Sequence, residues 1–568
     1  MTSPLFSGHK WRLPFALLAL GTVAHAETVR QQVTLESGWR TALAAKGEVF
    51  SSSYLAPDFY DGDWRAVSVP HNWESYEGYR QLKHGNLHGT AWYRLGFDMP
   101  ALAPGERAFL YFEGVGSYAT IWVNGQEAGH HAGGLTTFTI DITSHSQPGQ
   151  SNLLTVRADH PAGIRDLPWV CGGCELAYGF SEGTQPFGIF RPVHLVITNS
   201  IRVTPFGVHV WNGQDISAKE ATLHINTEVR NHGASGRKVL VRTTLQEQCG
   251  DPVFAMEQDL LIGPSQIGIV EQQSPAVQHP RLWSMEDPYL YRVVTELIED
   301  GEVIDQVETP YGIRWIEWPD PHGSPGKPLL LNGEPVFING VADYEHQLGA
   351  SHAFTNEQVT ARASQIRAAG FNAFRDAHHP HNLRFNEEWD QKGLLWWTQF
   401  GAHIWFESQD FQENYKALLR DWIRERRNSP SLFLYGLQNE SKLPADFASE
   451  CVEIIREMDP TASTQRPVVT CNGGMGTDWD VPQNWSGTYG GNLLEYGNEL
   501  RQHRMVGEYG AWRSLDFHSE GGFIEDGPLT EDRMAALMET KVRLAETVRD
   551  AAVGHFAWPF TTHQNPGR

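Results

Sequence analysis

The chain has 568 residues, 40% of them apolar and 20% charged, which is too long for one ordinary domain and predicts two to four globular units. Its 44 Lys and Arg against 68 Asp and Glu leave a formal charge of −24, which repels phosphate backbones and anionic membrane surfaces and argues against nucleic acid as the main partner. The 20 Trp, 17 Tyr and 27 Phe suit platforms that stack on flat apolar faces, although several small β-rich cores would also consume aromatics.

Lys10 and Arg12 precede an apolar stretch from Leu13 to Val23, and Ala24-His25-Ala26 gives a small-x-small cleavage pattern before Glu27. Residues 1–26 therefore read as a secretory signal peptide, with a retained N-terminal anchor as the alternative. No later segment offers about 18 uninterrupted apolar residues, so the expectation is a secreted or periplasmic protein with no membrane contact once the leader is removed.

From Thr28 to about Ser200, short alternating runs are separated by Gly, Pro and Asn turns, as in Ala91–Leu95, Ala108–Phe112, Thr120–Val123 and Phe138–Ile140. This pattern predicts a jelly-roll sandwich over 27–200, and Asn124-Gly125 is a strong signal for a type I′ hairpin turn. Cys171 and Cys174 are the one closely spaced pair among five cysteines; a short-loop disulfide is the first reading and two thiols the second. Cys249, Cys451 and Cys471 read as ordinary residues.

A second all-β stretch over 201–318 has the length of an immunoglobulin-like β-sandwich. Pro319 to Gly326 then holds three prolines and two glycines in eight residues, a linker that continues neither strand nor helix. Beyond Lys327 the strand-like runs Val336–Val341, Ala373–Asp376, Leu394–Gln399, Leu432–Leu437, Val468–Cys471, Ser486–Tyr489, Met505–Gly507 and His555–Phe560 alternate with helix-like ones. Helical periodicity is clear over Asn356–Ala369, Phe411–Arg426, Ala445–Met458 and Glu531–Ala551. Eight strands in about 225 residues predict a (β/α)8 TIM barrel over 327–568. Only eight residues follow the eighth strand, so its last helix is expected to be missing or replaced by another element.

In such a barrel the C-terminal strand ends form the active face. The run Leu432–Leu437 leads into Gln438-Asn439-Glu440, and Met505-Val506-Gly507 leads into Glu508-Tyr509-Gly510. Closure of the barrel brings Glu440 and Glu508, 68 positions apart in the chain, to one cavity. Paired carboxylates suit glycoside hydrolysis, because one protonates the departing oxygen while the other meets the cationic anomeric carbon. A single glutamate after a strand more often just pairs with an arginine; two such glutamates tip the reading toward chemistry.

The chain resembles glycoside hydrolase family 2, the group that includes β-galactosidases, β-glucuronidases and β-mannosidases. Phe59–Trp64 with Val69–Trp73, Val123–Gly125 and Gly188–Val193 look like its sugar-binding jelly roll. Leu282–Ser284, Pro288–Tyr291 and Gly312–Arg314 look like its immunoglobulin-like domain, and Arg426–Ser431 running into Asn439-Glu440 looks like its acid/base signature. The resemblance implies Glu440 as general acid/base, Glu508 as nucleophile, Asn439 on the sugar 2-hydroxyl, and Tyr509 as a partner that positions the nucleophile. Arg375 and His378 resemble residues that orient the nucleophile and stabilise the transition state, whereas His379 and His381 read as supporting or loop residues.

Asp343 and Tyr344 end strand one where many relatives carry Asn or Arg followed by His, so recognition of the terminal sugar departs from the common pattern there. Trp485 and Tyr489 flank the expected strand six, and Trp558 is expected as a stacking floor, while Trp396 and Trp397 are as well explained by packing in the barrel wall. Gln399 stands where some β-galactosidases have acidic residues near a magnesium ion, so no metal ligand set, required cofactor or divalent cation is supported.

A glucuronide needs a cation to meet its carboxylate, and the relatives that cleave one carry Asn-x-Lys beyond strand eight, where this chain has Asn565-Pro566-Gly567-Arg568. The resulting expectation is a retaining exo-β-glycosidase acting on an oligosaccharide or polysaccharide. β-Galactosides rank first, a β-glucuronidase or other β-glycosidase follows, and the rival from another class is a non-catalytic glycan-binding protein. Members of the family are often dimers or tetramers, so a homo-oligomer is expected by likeness alone.

Overall fold

The computed structural model describes residues 29–45, 51–76, 87–169, 185–323, 326–345, 352–441, 443–488, 490–510 and 531–561. The leader, Cys171, Cys174, Tyr489 and Arg568 lie outside the described residues. The first unit is a sandwich of two antiparallel sheets. One has four strands in the order Gln31–Thr34, Val193–Asn199, Glu106–Phe112, Phe138–Asp141. The other runs Arg65–Val67, Trp39–Leu43, Gly89–Asp98, Ser151–His160, Tyr118–Val123, Gln126–Ala132. The facing side chains, among them Trp39, Tyr93, Leu110, Ile121, Val156 and Leu195, make one buried core. Asn124 (φ 51°) and Gly125 (φ 79°) both take the positive φ that a type I′ turn demands.

The second unit pairs a three-stranded sheet (Ile201–Trp211, His224–Asn231, Ile267–Gln273) with a four-stranded one (Pro252–Ile262, Arg237–Gln246, Tyr291–Glu299, Glu302–Tyr311). Its strand His224–Asn231 is buried at every second residue, as a sheet with one face in the core requires.

The third unit is the barrel. Its strands are β1 (Ile338–Tyr344), β2 (Ala373–Ala377), β3 (Leu395–Ala402), β4 (Leu432–Asn439), β5 (Val468–Cys471), β6 in two pieces (Trp479–Val481 and Gln483–Asn484), β7 (Met505–Tyr509) and β8 (Gly554–Ala557). They pair in parallel, β8 with β1, and β6 is split at Pro482, its first piece on β5 and its second on β7. β2 to β5 are buried along their whole length, which explains their near-continuous apolar runs. The sixth strand is therefore Trp479–Asn484 and not the expected Ser486–Tyr489; Trp485 follows it. Its two short pieces meet at Pro482, which has no N–H, and their pairing with β5 and β7, not their composition, defines them. Among the described residues no helix separates β5 from β6.

Around the barrel lie α1 (Asn356–Ala368), α2 (Leu383–Lys392), α3 (Gln409–Arg426), α4 (Ala445–Met458), α5 (Tyr496–His503) and α6 (Glu531–Glu546). α1 opens on a reciprocal capping box between Thr355 and Gln358, and α2 ends at Gly393 (φ 67°). α2 and α5 are short and strongly polar, and neither was among the expected helices. α6 ends before the expected Ala551. Among the described residues no helix is long and apolar enough to cross a membrane.

The three units share buried contacts. Arg191 of the jelly roll donates to Glu345 Oε2 (2.7 Å), Pro380 O (2.8 Å) and Leu135 O (2.8 Å), while Trp169 Nε1 reaches Phe400 O at 2.5 Å. Arg314 of the second unit donates to Pro430 O and Leu432 O beneath β4. Both sandwiches thus brace the barrel directly beside the loops and strands that carry its polar residues.

Candidate active site

The barrel interior narrows onto Trp397, which is fully buried and lies under the Arg375 guanidinium, 4.4 Å from ring to cation. Room for this indole is left by two glycines: a Cβ on Gly436 would come within 2.4 Å of Trp397 Nε1, and one on Gly507 within 2.6 Å of Cys471 Sγ. Trp396 points the other way and donates to Asp376 Oδ1 at 2.9 Å. Both tryptophans are wall residues.

Arg375 at the end of β2 joins the two strands that carry the glutamates. Nη1 donates to Glu508 Oε1 (2.8 Å) and to Gly507 O (2.8 Å), and Nη2 donates to Asn439 Oδ1 (2.6 Å). A planar fork suits this double duty, and stacking on Trp397 fixes its plane. Because Oδ1 of Asn439 is held by Arg375, its Nδ2 is the atom left for a ligand hydroxyl. Gln483 Nε2 approaches the same Oδ1 at 3.5 Å and is in register with Glu508 across β6 and β7.

Glu508 is 4% exposed. His378 Nε2 lies 3.5 Å from its Oε1, and His378 Nδ1 lies 3.1 Å from Gln399 Oε1 on β3. The imidazole is stacked on Trp558 at 4.8 Å and 7°, and Tyr344 meets both rings edge-on, at 5.8 Å and 5.1 Å. Trp558 stands just past β8 and is half-buried.

Glu440 follows the last residue of β4 in a left-handed conformation (φ 44°), its N–H donating to Cys471 O at 2.9 Å. Such a backbone is uncommon outside glycine and clusters at functional sites. The carboxylate is 36% exposed, and His403, also at positive φ (59°), places Nε2 3.4 Å from Oε2.

Glu440, Glu508, Asn439, Arg375, His378 and Trp558 thus gather at the C-terminal end of the barrel. Two other expected residues face elsewhere. Tyr509 is stacked on His555 at 4.2 Å in the layer between barrel and helices, where burial pushes its phenol well up. Asp343 points to α1, accepting from Arg362 Nη1 and from Thr561 N (3.2 Å); burial outweighs the arginine and pushes its carboxyl up to about 6. Side chains alternate along a strand, so Glu508 and Tyr344 face inward where Tyr509 and Asp343 face out. Gln483 and His403 belong to the constellation without having been expected in it, and Tyr344 and Gln399, placed near it by likeness of position, were given no part in it. For Tyr344 the alternation itself was a usable signal; Gln483 was hidden by the misplacement of β6. Among the described residues no three His, Cys, Asp or Glu converge as metal ligands.

Three family profiles match in sequence order: the sugar binding domain of glycosyl hydrolases family 2 over residues 33–196, the central glycosyl hydrolases family 2 domain over 208–314, and the family's TIM barrel domain over 325–484. The chain is 28% identical over 535 residues to a β-glucuronidase of Bacteroides fragilis, covering 89% of this chain and 71% of that one. It is 29% identical over 401 residues to a β-galactosidase of Bacteroides ovatus, covering 68% of this chain and 44% of the relative. A crystal structure of a Bacteroides uniformis β-glucuronidase shares the fold with a TM-score of 0.82 at 23% identity, over 95% of this chain and 66% of that one. With the sandwiches and barrel in the matched order and spanning most of its length, the chain belongs to glycoside hydrolase family 2.

Proposed function

We propose that the protein is a retaining exo-β-glycosidase that removes terminal β-linked sugars by double displacement. The observation that carries this reading is the Arg375 fork, which grips Glu508 at the barrel mouth while holding Asn439 beside it. In the first step Glu508 attacks the anomeric carbon as Glu440 gives its proton to the departing oxygen. In the second, Glu440 takes a proton from water, which attacks the same carbon and releases Glu508. Glu440 stands at the open mouth, where a bound sugar would cover it. Arg375 donates to the buried Glu508 carboxylate and fixes its position for attack.

β-Galactosides rank first as substrates because the residues past β8 read Asn565-Pro566-Gly567-Arg568 where glucuronide-cleaving relatives carry Asn-x-Lys. The Bacteroides fragilis relative, named a β-glucuronidase, favours β-glucuronides as the second reading. The signal-like leader supports action outside the cytoplasm. Aryl β-galactosides, glucuronides, mannosides and arabinopyranosides assayed side by side test the proposal. Release of the aryl group from one of them with net retention is expected; glycan binding with no turnover on any would leave a non-catalytic lectin-like protein instead.

A further inference from the structure

Gln399 is fully buried on β3. Placed with Oε1 toward His378 Nδ1 at 3.1 Å, it leaves Nε2 buried and without a hydrogen-bond partner. That arrangement is doubly unfavourable. An orphaned buried N–H donor costs more than an under-used carbonyl, and a proton on Nδ1 turns the Nε2 lone pair of a neutral imidazole toward the Glu508 carboxylate 3.5 Å away. An amide has the same shape either way round, and its two ends are told apart by their partners. Reversed, Gln399 Nε2–H donates to Nδ1, the imidazole carries its proton on Nε2, and that N–H points at Glu508.

We propose that Gln399 is a positioning residue that sets the proton of His378 on Nε2, so that a neutral imidazole donates to the Glu508 carboxylate; this rests on the reading of Glu508 as nucleophile. The stack of His378 on Trp558 and the edge of Tyr344 fix the ring plane, leaving the amide to choose the tautomer. Among the described residues the groups facing His378 are Glu508 from β7, with Arg375 of β2 bonded to it, Gln399 from β3, Tyr344 from β1 and Trp558 beyond β8. Asp376 stands behind Gln399, accepting its backbone N–H at 3.4 Å. A neutral amide in this place adds no second charge to the Arg375 cation already bonded to Glu508. A carboxylate there would accept from Nδ1–H, stabilise the imidazolium and set a second cation against the nucleophile.

The test uses the full chain labelled with 15N-histidine, the His378 signal being assigned by its loss in His378→Gln. The wild type is expected to show a neutral imidazole protonated on Nε2, and Gln399→Glu to show the imidazolium at the same pH. A neutral ring protonated on Nδ1 in the wild type, or an unchanged signal in Gln399→Glu, overturns the proposal. In kinetics Gln399→Glu is expected to lower kcat about tenfold with little change in KM, and to move the acidic limb of kcat/KM to lower pH. Gln399→Met should lower kcat with the limb left near its original place. Equal kcat and pH profiles in all three proteins would also overturn it. Full turnover by Glu508→Gln would instead remove the nucleophile assignment, and the 15N signal would still decide the role of Gln399.

Discussion

The two glutamates that end β4 and β7 sit in opposite surroundings. Glu508 is buried, bonded to Arg375 and approached by His378, whereas Glu440 stands on a left-handed residue at the rim with a carboxylate 36% exposed and His403 nearby. In the proposed mechanism these surroundings suit two identical side chains to different work: the carboxylate fixed by Arg375 attacks, and the one at the open rim passes the proton. The contrast comes from backbone position: Glu508 lies inside a strand, Glu440 one residue past one.

The sharpest way to break this comparison is Glu508→Gln. It should reduce kcat by roughly 10⁴-fold or more on every substrate while circular dichroism and Tm stay near the wild-type values. Glu440→Ala should cost about 10²–10⁴-fold on substrates with poor leaving groups and far less on a dinitrophenyl glycoside, whose departure needs no proton. An equal loss on both kinds of substrate would erase the distinction between the two carboxylates. Arg375→Met, which leaves Glu508 buried without its cation, is expected to lower kcat about 10²–10³-fold and to shift the acidic limb of kcat/KM upward.

The smallest effect isolates burial from chemistry. Asp459 is another buried carboxylate gripped by an arginine, Arg466 Nη1 at 2.7 Å, at the end of the barrel remote from the glutamates. Burial raises its proton affinity, but Arg466, His209 and the bonds from Thr461 together hold the carboxyl down at about 2. A depressed acid contributes stability that is complete above its unfolded value near 4 and is lost as pH falls through about 2. Asp459→Asn should therefore lower Tm at pH 7 and flatten its decline between pH 4 and 2, with the activity profile near neutrality unmoved.

Much of this was legible in the sequence because strand ends announce themselves. Apolar runs that stop at Asn439-Glu440 and Glu508 put both carboxylates on one face, and the helices with strong periodicity, such as Ala445–Met458, fall where expected. Orientation was harder to read. Asp343 and Tyr509 were expected in the site by likeness of position, although the two-residue period of a strand turns them away from it once Tyr344 and Glu508 face in. Gln399 was placed near the site by likeness without a part in it, and His403 was not found, since what each does depends on distances between strands. The sixth strand was missed because its hydrogen bonds, and not its composition, define it.

The interruption of that strand at Pro482 has a consequence for how the carboxylates are spaced. Val481 O accepts from Asn472 just beyond β5, Pro482 O accepts from Gly507, and Gln483 is in register with Glu508. The same short segment is therefore anchored on one flank to the half of the ring bearing Glu440 and on the other to the half bearing Glu508. A single imino acid works as the joint of a caliper: lengthening the chain there by one residue would reset the gap between the jaws, and the gap between two carboxyl groups decides whether a glycosidase retains or inverts configuration.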